Sequence, residues 1–364
     1  MKSEPQPPQR AQPAPNLRRT LTLLAGVALS ALTLYLALRN VDMGEVWGAL
    51  TQARPLYVLL ALASVALNTL AKTVRWRVLL GEPGRGVSLL KLLMALLSGQ
   101  MLNTLYPARI GDLSRAYVIG GEHNGRERLG RTYTLGTVLL EKLLDMLAYV
   151  LLFLLLIVLI PLPAWVNDSL YTFALAIGVA ATGVGLAAYR PDWLLRIAKK
   201  FLTWFPRRWF PGRLRHFALA RIQDGLASLK VLHSRSDLLR LAFWSALVWG
   251  TAILNNHLAL LALDIHLPWT ASLLVLMVLQ AGISIPSVPG KIGIFEYSCV
   301  LALGVYGVAQ APALSYGILL HAIVLVPSTL LGLVFFWMLG LSASRQELLA
   351  AAPEPGPAGL DGGD

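Results

Sequence analysis

Charged side chains occur within apolar sequence at two matching places in this chain. One is Pro-Ala-Arg-Ile-Gly at 107–111, and the other is Pro-Gly-Lys-Ile-Gly at 289–293. The offset between them (289 − 107 = 182) is half of the 364 residues. A helix that starts just after such a proline has free backbone N–H groups, and these groups would bind an anion such as phosphate together with Arg109 or Lys291. The pattern therefore predicts an anion site at the two tips, where Arg109 and Lys291 would jointly hold a lipid phosphate.

Small and polar side chains flank both interruptions. Gly111 and Gly293 would let a ligand approach the backbone closely. The apolar arm before each interruption ends near Asn103 in the first copy and near Ser284 in the second. Their side chains could cap a helix or bind a polar head group.

Acidic side chains follow each interruption. Asp112 and Glu296 lie on the arms that come next, while Glu141 and Asp145 are four residues apart and so share one helix face. Like charges at this spacing repel unless a cation or a proton intervenes. We expect these carboxylates to pair with nearby Arg or Lys side chains or to carry protons. A purely structural role as buried ion pairs is the alternative.

The predicted substrate-binding set combines the two interruptions with the polar residues beside them. Its members are Asn103, Pro107, Arg109, Gly111, Asp112, Arg115, Glu141, Asp145, Ser284, Pro289, Lys291, Gly293 and Glu296. No catalytic residue, metal ligand or cofactor is predicted. His257 and His321 are interpreted as groups that form hydrogen bonds between helices.

The composition requires a membrane environment. Hydrophobic residues make up 56% of the chain and charged residues only 14%, which indicates an integral membrane protein. The net charge is +12, and the basic residues lie between the apolar spans and form no recognisable nucleic-acid-binding motif. Nucleic acid is therefore not a predicted partner. The single cysteine, Cys299, excludes an intramolecular disulfide.

The apolar segments predict an all-α membrane protein with about six full transmembrane helices and two re-entrant helical hairpins. The spans are predicted at 21–38, 56–73, 132–160, 170–189, 241–263 and 313–339. The hairpins are predicted at 92–119 and 271–305, because each arm is too short to cross a hydrocarbon core of about 30 Å. Such hairpins would be inverted repeats whose tips meet near the midplane.

The distribution of positive charge predicts the orientation. With both termini in the cytoplasm, the inside loops all carry Lys or Arg and most outside loops carry none. Residues 190–240 hold twelve Lys or Arg against three Asp, interleaved with aromatic residues. We expect this segment to lie on anionic lipid at the cytoplasmic face of the plasma membrane. Disordered tails are predicted at 1–16 and 341–364.

Three stretches resemble the signature motifs of a known family. They are Asn-x3-Pro-x-Arg-x-Gly-Asp-x2-Arg at 103–115, Glu-Lys-Leu-Leu-Asp at 141–145, and Pro-Gly-Lys-Ile-Gly-x2-Glu at 289–296. The chain is similar, over 17–340, to the lysylphosphatidylglycerol synthase transmembrane-region family, also called the flippase-like domain family. In bifunctional relatives a soluble aminoacyl-transferase domain makes an aminoacylated lipid, and the membrane part moves it across the bilayer. We expect that transferase domain to be absent here.

The resemblance implies a flippase or scramblase for a phosphate-bearing lipid, such as an aminoacyl-phospholipid or a polyprenyl-phosphate sugar. A membrane enzyme or enzyme subunit of lipid-linked aminoacyl or glycosyl transfer is the alternative, with a separate transferase as a possible partner. A membrane scaffold is a third hypothesis.

Overall fold

The computed structural model describes residues 17–39, 41–106, 110–120, 129–159, 190–204, 212–284 and 288–351, with the single positions 179 and 182. Within these residues the protein is built from α-helices and short 3-10 turns, without β-strands. The helices of the first half are α1 (Leu17–Leu38), α2 (Met43–Thr51), α3 (Pro55–Leu80), α4 (Leu89–Leu105), α5 (Ile110–Ile119) and α6 (Arg131–Leu159).

The second half repeats the order of the first. Its helices are α7 (Pro191–Trp204), α8 (Gly212–Ala227), α9 (Arg235–Ala262), α10 (Trp269–Ser284), α11 (Ile294–Gly304) and α12 (Gln310–Ala351). Helices α9 to α12 begin at 235, 269, 294 and 310, and helices α3 to α6 begin at 55, 89, 110 and 131. The offsets, 180, 180, 184 and 179, agree with the 182 residues that separate the two sequence motifs.

Helices α3 and α9, which correspond in the two halves, pack against each other in opposite directions. The Ser64 hydroxyl donates to the carbonyl of Thr251 (2.9 Å), and the Asn68 amide donates to the carbonyl of Val248 (2.6 Å). Further toward the start of α3, the Arg54 N–H donates to the carbonyl of Ala262 at the end of α9. Equivalent helices that run in opposite directions agree with the predicted inverted repeat.

Each half also contains an antiparallel helical hairpin. In the first, α4 and α5 come so close that a Cβ on Gly111 would overlap the carbonyl oxygen of Gly99. In the second, α10 and α11 are joined at their base by a hydrogen bond from Tyr306 to Thr270 (3.0 Å). The predicted pairs of short arms are therefore present. Whether either hairpin turns back within the bilayer stays a prediction.

Each hairpin packs against a long helix of the other half. Helix α4 packs against α12, and α10 packs against α6. At the first of these contacts the Ser98 hydroxyl donates to the carbonyl of Gly332 (3.4 Å). At the second, Leu156 of α6 joins the apolar cluster that α10, α11 and α12 form. The two halves thus share one helical body.

Four helices are long and apolar enough to cross a membrane: Pro55–Leu80, Arg131–Leu159, Arg235–Ala262 and Gln310–Gly340. These correspond to four of the six predicted spans. The first predicted span, 21–38, contains a shorter apolar helical stretch, Gly26–Leu38, among the described residues. The predicted span at 170–189 lies outside the described residues, apart from two positions. The protein is a helical membrane protein, and the exact number of crossings stays a prediction.

Two segments differ from expectation. No helix was predicted between the first two spans, but residues 39–55 contain α2, which begins where the Asp42 carboxylate accepts a hydrogen bond from the Gly44 N–H (2.7 Å). The last helix continues to Ala351, eleven residues beyond 340, because Ala, Leu, Glu and Arg are strong helix formers. That backbone is helical over the first part of the predicted disordered tail. Residues 1–16 and 352–364 lie outside the described residues.

Part of the basic segment 190–240 forms an amphipathic helix. On α7 the side chains of Trp193, Ile197 and Phe201 follow one another at four-residue spacing, and each is at least 43% exposed. We call these three side chains the α7 stripe. An exposed apolar stripe beside Arg and Lys side chains fits the predicted position at a membrane surface, and residues 205–211 lie outside the described residues.

Candidate functional site

Charged side chains from three helices meet inside the first half. Arg75 of α3 donates to the Asp145 carboxylate of α6 (2.7 Å), and its guanidinium lies 4.0 Å from Glu141. Arg115 of α5 grips Glu141 with both terminal nitrogens, at 2.6 and 3.4 Å. The Arg75, Arg115 and Glu141 side chains are at most 5% exposed. The repulsion expected between Glu141 and Asp145 is therefore offset by two guanidinium groups.

An aromatic ring fixes Arg115 from its other side. The guanidinium carbon lies 4.1 Å from the centre of the Trp76 ring, within the range of a cation–π contact. Trp76 is fully buried, and its indole N–H donates to the hydroxyl of Thr137 on α6 (3.1 Å). Arg115 is consequently held by a carboxylate and by a ring that is itself hydrogen-bonded.

The tip of the first hairpin supplies the next layer of contacts. The side-chain oxygen of Asn103 accepts a hydrogen bond from the Gly111 N–H (2.8 Å). Asn103 thus caps the start of α5, which is one of the two roles predicted for it. The Asn103 amide also donates to Asp112 (3.3 Å). The Asp112 carboxylate lies 3.6 Å from the Lys142 ammonium of α6 and 3.9 Å from Arg115. These contacts tie α5 to both α4 and α6.

A pocket opens between these helices, with about 360 Å³ of empty space that includes its open mouth. Eight of its nine lining residues have polar or charged side chains. The lining residues are Lys72, Leu96, Gln100, Asn103, Asp112, Arg115, Glu141, Lys142 and Asp145. Five members of the predicted site therefore line one pocket, and Gly111 lies directly behind them against α4.

The second hairpin forms a separate polar centre. The Glu296 carboxylate accepts from the Gly293 N–H (2.7 Å) with one oxygen and lies 2.6 Å from His321 Nδ1 with the other. The ring of Phe295 stacks on the imidazole at 4.2 Å. His321 thus bonds between helices as predicted. Glu296 pairs with this histidine, because it lies in the first turn of α11 and faces α12.

Backbone geometry accounts for the glycine at the start of α11. Gly293 has φ of +89°, and a Cβ there would lie 2.5 Å from the carbonyl oxygen of Ser30 on α1. The Gly293 N–H is bonded to Glu296, so this one N–H group is not free to bind an anion, and the predicted anion site at this helix start stays a prediction. The first helix start is capped in the same sense by Asn103.

Other members of the predicted site lie apart from the pocket. The Ser284 hydroxyl donates to the carbonyl of Gln280 within its own helix (2.7 Å). Pro289 and Lys291 belong to a 3-10 turn (Pro289–Lys291) that packs against α4, and neither lines the pocket. Pro107 and Arg109 lie outside the described residues.

Four polar residues of this region were not predicted as site residues: Lys72, Arg75, Gln100 and Lys142. The second span was predicted to end at Thr73, so the sequence placed Lys72 and Arg75 at the end of the span. Helix α3 instead continues to Leu80, which places both side chains toward α6. The available signal was their spacing of three residues, which puts two cations on one helix face.

Comparison with known proteins agrees with this architecture. Residues 23–332 match the family described as Lysylphosphatidylglycerol synthase TM region. The glycosyltransferase AglD of Haloferax volcanii is 25% identical over 338 residues, which are 85% of this chain and 53% of that protein. A UPF0104 membrane protein of Pyrococcus horikoshii is 24% identical over 327 residues, which are 87% of this chain and 96% of that protein.

The two relatives differ in how much of their length is matched. The chain spans about half of AglD but nearly all of the UPF0104 protein. The family match covers most of the chain, including the pocket, both hairpins and the Glu296–His321 pair. This chain therefore belongs to the lysylphosphatidylglycerol synthase transmembrane-region family.

Proposed function

We propose that this protein moves a lipid with a phosphate-bearing head group across the membrane, as a flippase or scramblase. The observation that carries the proposal is the charged pocket between α3, α4, α5 and α6, whose walls are polar although the surrounding helices are apolar. Charged side chains at membrane depth are costly and are usually retained for a pathway or a binding site.

The surroundings of the pocket suit a molecule with two chemically different parts. Helix α6 carries Glu141 and Asp145, whose side chains line the pocket. The same helix has three exposed leucines: Leu139, Leu147 and Leu151 are 57%, 41% and 59% exposed. A lipid could keep its acyl or prenyl chains against such a surface while its head group enters the polar space. The helix thus offers a separate environment to each part of the lipid.

The proposed binding set keeps the residues of both hairpin tips. Arg109 follows the first proline, and Lys291 lies in the turn that packs against α4. In our proposal both cations attract the head group toward the pocket, while Asn103 and Asp112 bind its hydroxyl or amino groups. We also propose a plasma-membrane location with both termini in the cytoplasm and α7 on anionic lipid.

The second candidate function is a membrane subunit for lipid-linked glycosyl transfer. It is favoured by one observation, the similarity to a protein named as a glycosyltransferase. That similarity covers about half of the relative. In this version the pocket would hold a lipid-linked sugar for a transferase to act on, and Glu141 or Asp145 would serve as a base.

Reconstitution of the purified protein alone separates the two functions. Vesicles are prepared with a head-group-labelled anionic phospholipid, and its exposure to a membrane-impermeant quencher is followed over time. The proposal expects faster loss of the inner-leaflet signal with the protein than without it. No acceleration for aminoacylated, anionic or polyprenyl-phosphate lipids, under any ion gradient, would reject transport and favour the transferase subunit.

A further inference from the structure

We infer that Lys72 recognises the phosphate of the transported lipid and that the pocket selects a phosphate group with a single negative charge, as in a phosphodiester. The inference rests on the proposed function for treating the ligand as a lipid. It adds one specificity-determining residue and one chemical class of ligand.

The other charges at the pocket form ion pairs. Each carboxylate at the pocket has its own cation in a different helix. Asp145 has Arg75 at 2.7 Å, Glu141 has Arg115 at 2.6 Å, and Asp112 has Lys142 at 3.6 Å. These three pairs hold α3, α5 and α6 together and are electrically neutral as a group.

Lys72 is the cation that remains. It lies one turn before Arg75 on α3 and lines the same pocket as Asp145, Glu141 and Lys142. Among the residues that the structure describes, no carboxylate lies within 4.0 Å of the Lys72 ammonium. The three other cations at the pocket, Arg75, Arg115 and Lys142, each have a carboxylate within that distance. Four cations face three anions, which leaves one positive charge.

The size of this excess indicates the ligand. An ion in a space enclosed by protein is costly unless an opposite charge matches it. A phosphodiester carries one negative charge and would neutralise the pocket. A phosphate monoester or a diphosphate carries more, and would leave an unmatched negative charge beside Asp145 and Glu141. Glycerophospholipids with an esterified head group and polyprenyl-phosphate sugars are both phosphodiesters.

Binding to the purified full chain in detergent tests the inference. The probes are dihexanoyl phosphatidylglycerol, a phosphodiester, and dihexanoyl phosphatidic acid, a monoester, with inorganic phosphate as competitor. We expect the phosphodiester to bind more tightly, and inorganic phosphate to compete weakly. Equal or tighter binding of the monoester, or strong competition by inorganic phosphate, would overturn the single-charge assignment, and this comparison needs no variant.

Substitutions test the residue. Lys72→Gln should weaken phosphatidylglycerol binding by roughly ten- to a hundredfold, since one charge-assisted contact is lost, while Lys72→Arg should retain most of it. Lys230→Gln, at an exposed lysine outside the pocket, is the matched control and should bind normally. Unchanged binding by a folded Lys72→Gln protein would overturn the assignment.

A double variant tests the charge balance itself. In Lys72→Gln with Asp145→Asn, the loss of one anion frees Arg75 and restores an excess of one positive charge. Binding should then recover by about tenfold over Lys72→Gln alone. If the double variant is folded and binds no better than the single one, the charge balance does not select the ligand.

The binding readout separates this inference from the proposed function. Selective, Lys72-dependent binding without lipid movement in vesicles would reject transport and leave the site assignment in place. Lipid movement at the normal rate in vesicles with the Lys72→Gln protein would support transport and would reject the assignment of Lys72 as the residue that recognises the phosphate.

Discussion

The Arg115–Glu141 pair is the contact whose removal should destabilise the protein most clearly. Arg115 is 2% exposed, lies 2.6 Å from Glu141 and covers the ring of Trp76. Removing one member of a buried pair costs about 3–5 kcal/mol, because the remaining charge is left unmatched. Arg75 stays 4.0 Å from Glu141 and offsets part of this loss, so we expect about 3 kcal/mol for Arg115→Gln.

The double variant gives the decisive comparison. Arg115→Gln with Glu141→Gln leaves two neutral amides that can bond to each other, so its loss should be smaller than the sum of the single losses by at least about 2 kcal/mol. Equilibrium unfolding in mixed micelles of increasing SDS fraction measures each free energy. The exposed Arg240–Asp237 pair (3.3 Å) is the control, and Arg240→Gln should cost less than about 1 kcal/mol. Additive single losses would refute a coupled buried pair.

Three further predictions concern packing, topology and the membrane surface. Gly111→Ala should reduce thermal stability and lipid movement, because its Cβ would overlap α4, whereas Gly48→Ala, which has open space in α2, should be neutral or slightly stabilising. In a cysteine-free background, a cysteine at the exposed loop position Ala309 should react with an impermeant reagent from outside, and one at Gly125 only from inside; outside labelling at Gly125 would contradict the first re-entrant hairpin. Ile197→Ser, at the centre of the α7 stripe, should weaken the dependence of stability on anionic lipid, as measured by unfolding in vesicles with and without phosphatidylglycerol.

The sequence was most informative where a pattern is repeated. The offset of 182 residues between the two motifs agrees with the offsets of 179 to 184 residues between the corresponding helices of the two halves. The short arms around Asn103 and Ser284 were correctly predicted to be helical. Apolar length and proline position determine these features locally, so they can be predicted without knowing how the helices pack.

Partners that are distant in the chain could not be predicted. Arg75 and Asp145 are 70 residues apart, and nothing near either residue indicates the other. Glu296 was expected to pair with a nearby Arg or Lys side chain or to carry a proton. Its carboxylate bonds to His321, because α11 and α12 pack face to face. The role of Lys72 depends on the same kind of information, since an unpaired cation is recognised only after every other pair has been assigned.

The central claim is that a lipid head group occupies the pocket between α3 and α6. Photo-cross-linking with a phosphatidylglycerol analogue that carries the reactive group on its head group tests this most directly, with the adducts mapped by mass spectrometry in vesicles of wild-type protein. We predict adducts on pocket residues such as Gln100 and Lys142, and their reduction by excess unlabelled phosphatidylglycerol. Adducts confined to outer surfaces such as the α7 stripe, with none in the pocket, would contradict the account.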